Sequence, residues 1–400
     1  MIIDRTEVYQ YLRKYYKYMF QYNYINISEL KKRLCHNDYE SCFKKTKDKL
    51  ENYLSTFLRE NCEGKFKLST EGKRDIYSSC YYIMSCSLLD FKISKDRCNE
   101  IMEFIYKRQD RDGLFYDENL INYAYIKEDG WGARHLMPHL IILYERLNRK
   151  PLYNFEYLSA YHKYENMMNL INSLNWNNAW SASNFVMNIG VMLQYERDFM
   201  NVSDANDGIK AIQEWLLENI RTDSGMWYKG NINSKVSKYE MIRGAYHLYP
   251  ILFYDDIDIP YKEKAIDIIL SLQNKYGGFD FRINSSACED IDAIEPLIRL
   301  SILTNGYRKE EVRKALEKAL VWCVHNQMED GGFVFRKGEK FNYGHENMAS
   351  GINESNMFAT WFRTLCVCYI YDFLTETRGR YVRVPGYEYP LWGEKGINEE

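Results

Sequence analysis

The heptapeptides QNKYGGF at 273–279 and QMEDGGF at 327–333 share a glutamine, a glycine four residues later and a phenylalanine six residues later. An aromatic residue ends three related segments, QDRDGLF at 109–115, RTDSGMW at 221–227 and ENCEGKF at 60–66. The five turn glycines are separated by 49, 112, 52 and 54 residues. The long gap is about twice the others, so it predicts a degenerate sixth copy, for which LNWNNAW, ending at Trp180, is the best candidate.

Each turn is flanked by two different apolar patterns. The segment before it, such as YKEKAIDIILSLQ at 261–273, repeats apolar residues at intervals of three and four, which is typical of an amphipathic helix. The segment after it, such as IDAIEPLIRLSIL at 291–303, is apolar on nearly all sides. The first helix of each pair should therefore lie outside, and the second should be buried.

Six such pairs predict an all-α fold, an (α/α)6 toroid in which six helical hairpins form two concentric rings. An open solenoid of helix pairs is the alternative. We favour closure because the second helices are too apolar for an exposed concave face. The domain prediction is an extra N-terminal helical segment at 1–40, the toroid at 41–375 and a C-terminal tail packed on it at 376–400.

The net charge, the cysteine spacing and the lengths of the apolar runs argue against several classes of protein. The chain has 400 residues and a net charge of −3 without a basic stripe, which argues against nucleic acid as a partner. Its ten cysteines form no CxxC pair, and the N-terminus has no apolar signal core. No apolar run reaches the roughly 20 residues of a transmembrane helix. We expect a cytoplasmic protein; peripheral membrane contact stays open.

In a toroid, all second helices start at the same rim, so their first residues should converge at one mouth above an apolar centre. Such a mouth is the default binding site of this architecture. The ionisable and aromatic residues expected there, outside the acidic segment 289–295, are Asp129, Trp131, Arg134, His135, Trp180, Glu240, Arg243, Tyr246, His247 and Glu354.

The most acidic of these helix starts carries Glu289, Asp290, Asp292 and Glu295 within seven residues. Ser286 and Glu289 fit a capping box, which explains the first two acids as helix-start residues. Pro296 suggests instead that the helix begins there and leaves the acids on a loop. Either way, clustered carboxylates should raise at least one pKa and keep a proton available near neutral pH.

The glycine turns resemble the QW motifs of squalene–hopene cyclases and related terpenoid cyclases. Those class II cyclases carry D-x-D-D-T-A after such a turn, where this chain has Asp290-Ile291-Asp292-Ala293-Ile294. The resemblance implies that Asp292 protonates an alkene or epoxide in an aromatic-lined cavity, with Asp290 and Glu289 beside it. The third Asp and the Thr of the motif are absent, and the chain has one helical domain where class II cyclases usually have two.

Similar turns occur in protein prenyltransferase β subunits, which bind zinc and need a partner chain. Cys288 and Asp290 stand two apart but in the reverse order of that family's ligands, and no His follows in the next copy, where Glu354 stands. We therefore predict no zinc site. Magnesium is a candidate cofactor if the substrate is a diphosphate.

Two other functions remain open. A carbohydrate-active (α/α)6 enzyme, a glycoside hydrolase or polysaccharide lyase, would use two carboxylates of the mouth as acid and base. A non-catalytic toroid would bind a lipid, a glycan or a protein partner. The residues expected to contact an isoprenoid or glycan substrate are Trp131, Arg134, His135, Trp180, Arg243, Tyr246, His247, Glu295 and Glu354.

Overall fold

The computed structural model describes residues 39–60, 66–70, 72–120, 131–376 and 380–392. Most of the predicted N-terminal segment, the turn glycine Gly64, the mouth residue Asp129 and the end of the C-terminal tail lie outside these residues.

The described part of the chain is all-α apart from two very short β-hairpins. The twelve α-helices are α1 Tyr39–Glu60, α2 Ile76–Leu88, α3 Lys95–Tyr106, α4 Met137–Leu147, α5 Tyr164–Ser173, α6 Ala179–Phe199, α7 Ala205–Asn219, α8 Lys235–Tyr254, α9 Lys262–Leu272, α10 Ala287–Leu303, α11 Lys309–His325 and α12 Met357–Thr375. Two 3₁₀ helices cover Arg134–Leu136 and Glu156–Tyr161. The strands are β1 Phe341–Asn342, β2 Ala349–Ser350, β3 Tyr381–Val384 and β4 Tyr387–Pro390.

In the described part of the chain the helices form six consecutive pairs, which we call hairpins; the odd-numbered members are the first helices and the even-numbered members the second helices. The second helices are the more buried, as predicted: every residue of α2 is buried. In α5, by contrast, only Met167 and Ile171 are buried. The apolar pattern of each segment therefore determines how deeply its helix lies.

The recurrent glycines form the turns within these hairpins. Gly113, Gly225, Gly277 and Gly331 all have positive φ angles, between 67° and 104°, which residues with a Cβ rarely adopt. In three of the turns the glutamine side chain donates to the carbonyl oxygen of the turn glycine. The distances are 3.2 Å from Gln109, 3.0 Å from Gln273 and 2.9 Å from Gln327.

The same glutamines and glycines hold successive hairpins together. Gln273 Nε2 also donates to the α11 carbonyl of Ala315 at 2.7 Å, and a Cβ on Gly277 would lie 2.2 Å from the carbonyl oxygen of Lys318. In the last hairpin, Gln327 Nε2 donates to Thr46 of α1 at 3.0 Å. We call this pair of contacts, a glutamine hydrogen bond and a glycine in backbone contact, the clasp.

The candidate degenerate copy lies where the spacing predicts it. LNWNNAW connects α5 to α6. It has no glycine or glutamine to form a clasp, and Trp176 contacts both neighbouring first helices instead. Its indole Nε1 donates to the carbonyl of Ile171 at 3.0 Å, and its ring stacks on Trp215 of α7 at 4.5 Å.

The second helices contact one another in chain order, α2 with α4, α4 with α6, and so on to α12, and α12 contacts α2. The β3–β4 hairpin lies against the C-terminal ends of several second helices. Trp392 N donates to Leu88 O at the end of α2, and Arg383 donates to Tyr254 O at the end of α8. A Cβ on Gly386, in the hairpin turn, would contact Val191 of α6.

We predict that Gly331→Ala lowers the free energy of unfolding by about 4 kcal/mol, since its Cβ would lie 2.0 Å from the carbonyl oxygen of Lys49 and the backbone must move. Gly306→Ala is the matched control: its φ is also positive, at 84°, but its Cβ would meet only the Lys309 side chain at 3.5 Å. The control should lose about 1–2 kcal/mol. Equal losses in urea denaturation would show that the clasp adds nothing.

Candidate active site

The acidic segment lies wholly within α10. Ser286 caps the helix, and it forms the predicted capping box with Glu289. The helix continues through Pro296 to Leu303, so the alternative in which it begins at Pro296 is wrong. The cap at Ser286 supplies partners for the first backbone N–H groups, and this favours the earlier start. All four acids are buried and their environments differ.

Glu289 is held by two arginines. Arg282 donates to its Oε1 at 2.6 Å, Arg336 pairs with the same oxygen, and Tyr239 donates its hydroxyl at 2.9 Å. Burial raises the pKa of Glu289, but the two guanidinium groups outweigh it and bring the pKa down to about 2. Glu289 is therefore an anion that caps α10 and fixes the loops that carry Arg282 and Arg336.

Asp290 is fully buried and accepts from four donors. Oδ1 accepts from Phe279 N at 3.0 Å and Ser285 Oγ at 2.8 Å, while Oδ2 accepts from Trp322 Nε1 at 2.9 Å and pairs with Arg363. Burial raises the pKa of Asp290, and Arg363 opposes this shift. The carboxylate joins the turn at 277–279 to α10, α11 and α12.

Asp292 has far fewer partners. Within the described residues its one polar contact is Arg243 of α8, whose Nε lies 4.0 Å from Oδ2, beyond hydrogen-bond distance. Burial raises the pKa of Asp292 well above its usual value; Arg243 opposes the shift, and the neighbouring Glu289, Asp290 and Glu295 add to it. Burial therefore favours the neutral, protonated form of Asp292.

Arg243 is itself enclosed by aromatic rings. Its guanidinium lies 4.6 Å from the ring centre of Trp180 and 4.9 Å from that of Tyr239, and it pairs with Glu240 at 3.4 Å. The buried Nε has no hydrogen-bond partner among the described residues. Trp180, Arg243 and Asp292, predicted from three different hairpins, thus come together.

Glu295 lies one turn further along α10. Its Oε1 is 3.3 Å from Arg299. Burial raises its pKa to about 7, although Arg299 opposes the shift. Burial raises the pKa of the Tyr246 hydroxyl on α8, and Glu295 and Asp292 add smaller contributions, so the two acids and Tyr246 lie close to one another.

An aromatic cluster occupies the starts of α2, α4 and α12. Tyr77 stacks on Trp131 at 5.3 Å, and Tyr343, from the β1–β2 loop, meets the Tyr77 ring at 5.4 Å and the Phe358 ring at 4.5 Å. The Tyr77 hydroxyl is hydrogen-bonded to His135 Nδ1 at 2.9 Å. Burial raises the Tyr343 pKa, with a smaller contribution from Cys288, one helical turn before Asp292. The cluster therefore extends toward the acid.

The remaining predicted residues are more dispersed. Arg134 lies over the Phe185 ring at 5.0 Å, at the boundary of α4 and α6. His247 Nδ1 is hydrogen-bonded to Ser183 Oγ at 3.0 Å, and burial lowers the pKa of His247 to about 3. Glu354 accepts from Thr70 N at 2.9 Å and also from Gly351 N, so it fixes a loop.

Tyr239, Tyr343, Arg299 and Glu388 belong to this site although the sequence did not single them out. Tyr239, Arg243, Tyr246 and Pro250 repeat at intervals of four, three and four, as do Cys288, Asp292, Glu295 and Arg299. That spacing places each set on one helix face and could have identified Tyr239 and Arg299. Tyr343 and Glu388 come from irregular loops and strands, whose positions no periodicity gives.

No group of three or more His, Cys, Asp and Glu side chains in the described ranges could hold a metal ion. Within the same residues, no helix is long and apolar enough to cross a membrane. No protein-family model matches the chain, and no curated protein matches it.

Removing Arg363 should destabilise the protein by about 3–5 kcal/mol, because Arg363→Met leaves the Asp290 charge buried without its cation. Arg380→Met is the control: Arg380 pairs at 2.6 Å with Asp90 but is 73% exposed, and its loss should cost at most about 1 kcal/mol. Urea unfolding of both variants measures the difference. Similar small losses would mean that the buried pair is not structural.

Asp292→Asn should stabilise the protein, and the gain should grow as pH rises above the ordinary Asp pKa of 3.8. In the wild type the unfolded state loses its proton above that pH, while the raised pKa of folded Asp292 disfavours ionisation, so rising pH favours unfolding. Asp198→Asn should behave in the opposite way, because Arg197 lowers the Asp198 pKa. Thermal unfolding across this pH range tests both signs; a pH-independent effect of Asp292→Asn would contradict the raised pKa.

Proposed function

We propose that the six hairpins close into an (α/α)6 toroid with the acidic face of α10 at its centre. The contact between α12 and α2 supports closure. The clasp of the sixth hairpin supports it too, because Gln327 and Gly331 reach Thr46 and Lys49 of the first hairpin. An open solenoid leaves its first and last repeats apart.

Within this toroid, we propose an isoprenoid-active enzyme in which Asp292 protonates an alkene or epoxide. One observation carries the proposal: Asp292 is a buried carboxyl with a raised pKa and no hydrogen bond to the described residues. Glu289 and Asp290, the other catalytic candidates, each have one oxygen paired with arginine and the other hydrogen-bonded, so they act as supports.

The chemistry assigned to Asp292 is a single proton transfer. Its O–H bond breaks. On an alkene the π electron pair forms the new C–H bond and leaves the neighbouring carbon cationic, whereas on an epoxide the ring oxygen takes the proton and a C–O bond breaks to leave the cationic carbon. Arg243, 4.0 Å away, stabilises the carboxylate that is left behind. This stabilisation is larger in a buried site than in water, since the surroundings screen charge poorly.

The carbocation needs a shield from water and a source of negative potential. Aromatic faces supply both, since a ring attracts a cation over its face. Tyr246 lies beside Asp292, and Trp180 lies across Arg243. The cluster around Tyr343 offers further rings beyond Cys288. Trp131 and His135 belong to that cluster, so they are the predicted substrate contacts that this chemistry uses.

A glycan-active enzyme has weaker support, since it needs a second carboxylate free to act as base or nucleophile. Glu289 and Asp290 are engaged by arginines, and Glu354 holds backbone N–H groups. Glu240, paired with Arg243, and Glu295 remain as partners for Asp292.

The test is product analysis by mass spectrometry with squalene and prenyl diphosphates of increasing length, with and without magnesium. We expect a product of unchanged mass and altered retention from the wild type, and a rate at least about 100-fold lower for Asp292→Asn, as for loss of a general acid. Glu240→Gln, which removes a neighbouring half-buried acid, is the control and should keep the activity. No turnover by a folded wild type, or full activity in Asp292→Asn, would refute the proposal.

A further inference from the structure

Asp292 and Glu295 share one face of α10. With Cys288 and Arg299 they repeat at intervals of four, three and four, so their side chains lie in one row along the helix. Residues three apart on a helix have Cβ atoms about 5–6 Å apart. A substrate that reaches Asp292 therefore also reaches Glu295, one turn deeper along the same row.

Groups from three other elements face Glu295. Tyr246 comes from α8, Tyr369 from α12 and Tyr387 from β4. Burial raises the pKa of all three hydroxyls, and the charge of Glu295 adds to each shift. Among the described residues, the cation paired with Glu295 is Arg299, on the same helix. Glu295 is thus surrounded by tyrosine hydroxyls and one shared arginine, and it has fewer close charged or hydrogen-bonding partners than Glu289 or Asp290.

Arg299 is shared with the C-terminal β-hairpin. Its second guanidinium nitrogen binds Glu388 of β4 at 2.6 Å, closer than the 3.3 Å to Glu295. The guanidinium also lies 4.2 Å from the Phe253 ring, which fixes its plane. Glu388 is in turn 3.8 Å from Arg383, which pairs with Asp256 at the surface. This row of charges links the buried acid to the outside.

We propose that Glu295 is the base that ends the reaction begun by Asp292, and that Glu388 positions it by holding Arg299. The inference rests on the proposed function. After Asp292 has protonated the substrate and the cation has rearranged, a C–H bond next to the cationic carbon breaks. Its electron pair becomes a C=C bond, and the proton passes to the Glu295 carboxylate. The proton then returns to Asp292, so the net reaction is an isomerisation.

The electrostatics fit this role. Burial brings the Glu295 pKa to about 7, so both its forms are present at neutral pH, and it can accept a proton and release it again. The Glu388 charge pushes the pKa upward while Arg299 pulls it down. Burial raises the Asp292 pKa as well, and Asp292 lies beside Arg243 while Glu295 lies beside Arg299, so the two acids of one face have separate tasks.

The first experiment examines the product of Glu295→Gln. Asp292 still protonates the substrate, but no base removes the final proton, so water should capture the cation and the product should be heavier by one water. Asp256→Asn is the control: it removes the outer surface pair of Arg383 and leaves Arg299 untouched. It should give the wild-type olefin. The same olefin at the same rate from Glu295→Gln would overturn the assignment of the base.

A second experiment does not depend on turnover. The Glu295 carboxyl, ¹³C-labelled and assigned with Glu295→Gln, is titrated by NMR in the full chain. Glu388→Gln should lower the Glu295 pKa by at least about one unit, because it removes a repelling charge and releases Arg299 to Glu295. Glu388→Asp should restore part of the shift, and Asp256→Asn should leave the pKa unchanged.

The outcomes separate the two proposals. An unchanged Glu295 pKa in Glu388→Gln overturns the positioning role of the hairpin, whatever the enzyme's activity. If the wild type turns over no isoprenoid, the proposed function fails and the base with it, while the NMR result still decides whether Glu388 controls Glu295.

Discussion

The clasp between successive hairpins is the constraint on which the rest of the structure depends. A glycine without a Cβ lets one turn lie against the backbone of the next first helix, and a glutamine fixes the approach with two hydrogen bonds. Apart from the glutamine side chain, the contact is made of backbone atoms, so its geometry depends little on the other side chains around it. The second helices can then carry buried charged residues, because the clasps at the turns and first helices fix their positions.

The four acids of α10 show how partners, and not residue type, set chemical behaviour. Glu289 has two arginines and is an anion, while Asp290 has one buried arginine and three neutral donors, and it ties three helices together. Asp292 has only a distant arginine, and burial raises its pKa well above the usual value. Burial also outweighs the opposing arginine at Asp290 and at Glu295, but both of those acids have closer partners than Asp292 has. Glu289 and Asp290 anchor the start of α10, and this anchoring holds the weakly paired Asp292 in place near the same helix end.

Much of the helical pattern could be predicted from the sequence. The repeat of Gly277 and Gly331 gave the hairpins, and Ser286 with Glu289 gave the start of α10, since both signals are local. The partners of the acids could not be predicted: Arg363 meets Asp290 across 73 positions, and no spacing reports such contacts. The sequence motif made Asp290 a catalytic candidate. The structure shows instead that its oxygens accept from four donors, so it has a supporting role. Tyr343 and Glu388 were missed because irregular segments have no period.

Two helix-internal prolines lie at the level of the acid. Pro296 of α10 has no N–H for the carbonyl of Asp292, and Pro250 of α8 has none for the carbonyl of Tyr246. A proline inside a helix costs roughly 3 kcal/mol, and burying Asp292 without a hydrogen bond adds a further cost. The proline costs fall at the carbonyls of Asp292 and Tyr246 on facing helices, and the burial cost falls at Asp292 as well. Packing alone gives no reason to concentrate them there. The centre that we propose, which presents carbonyl oxygens and a carboxyl group to a developing cation, does give one, because local rules are broken together most readily where function requires it.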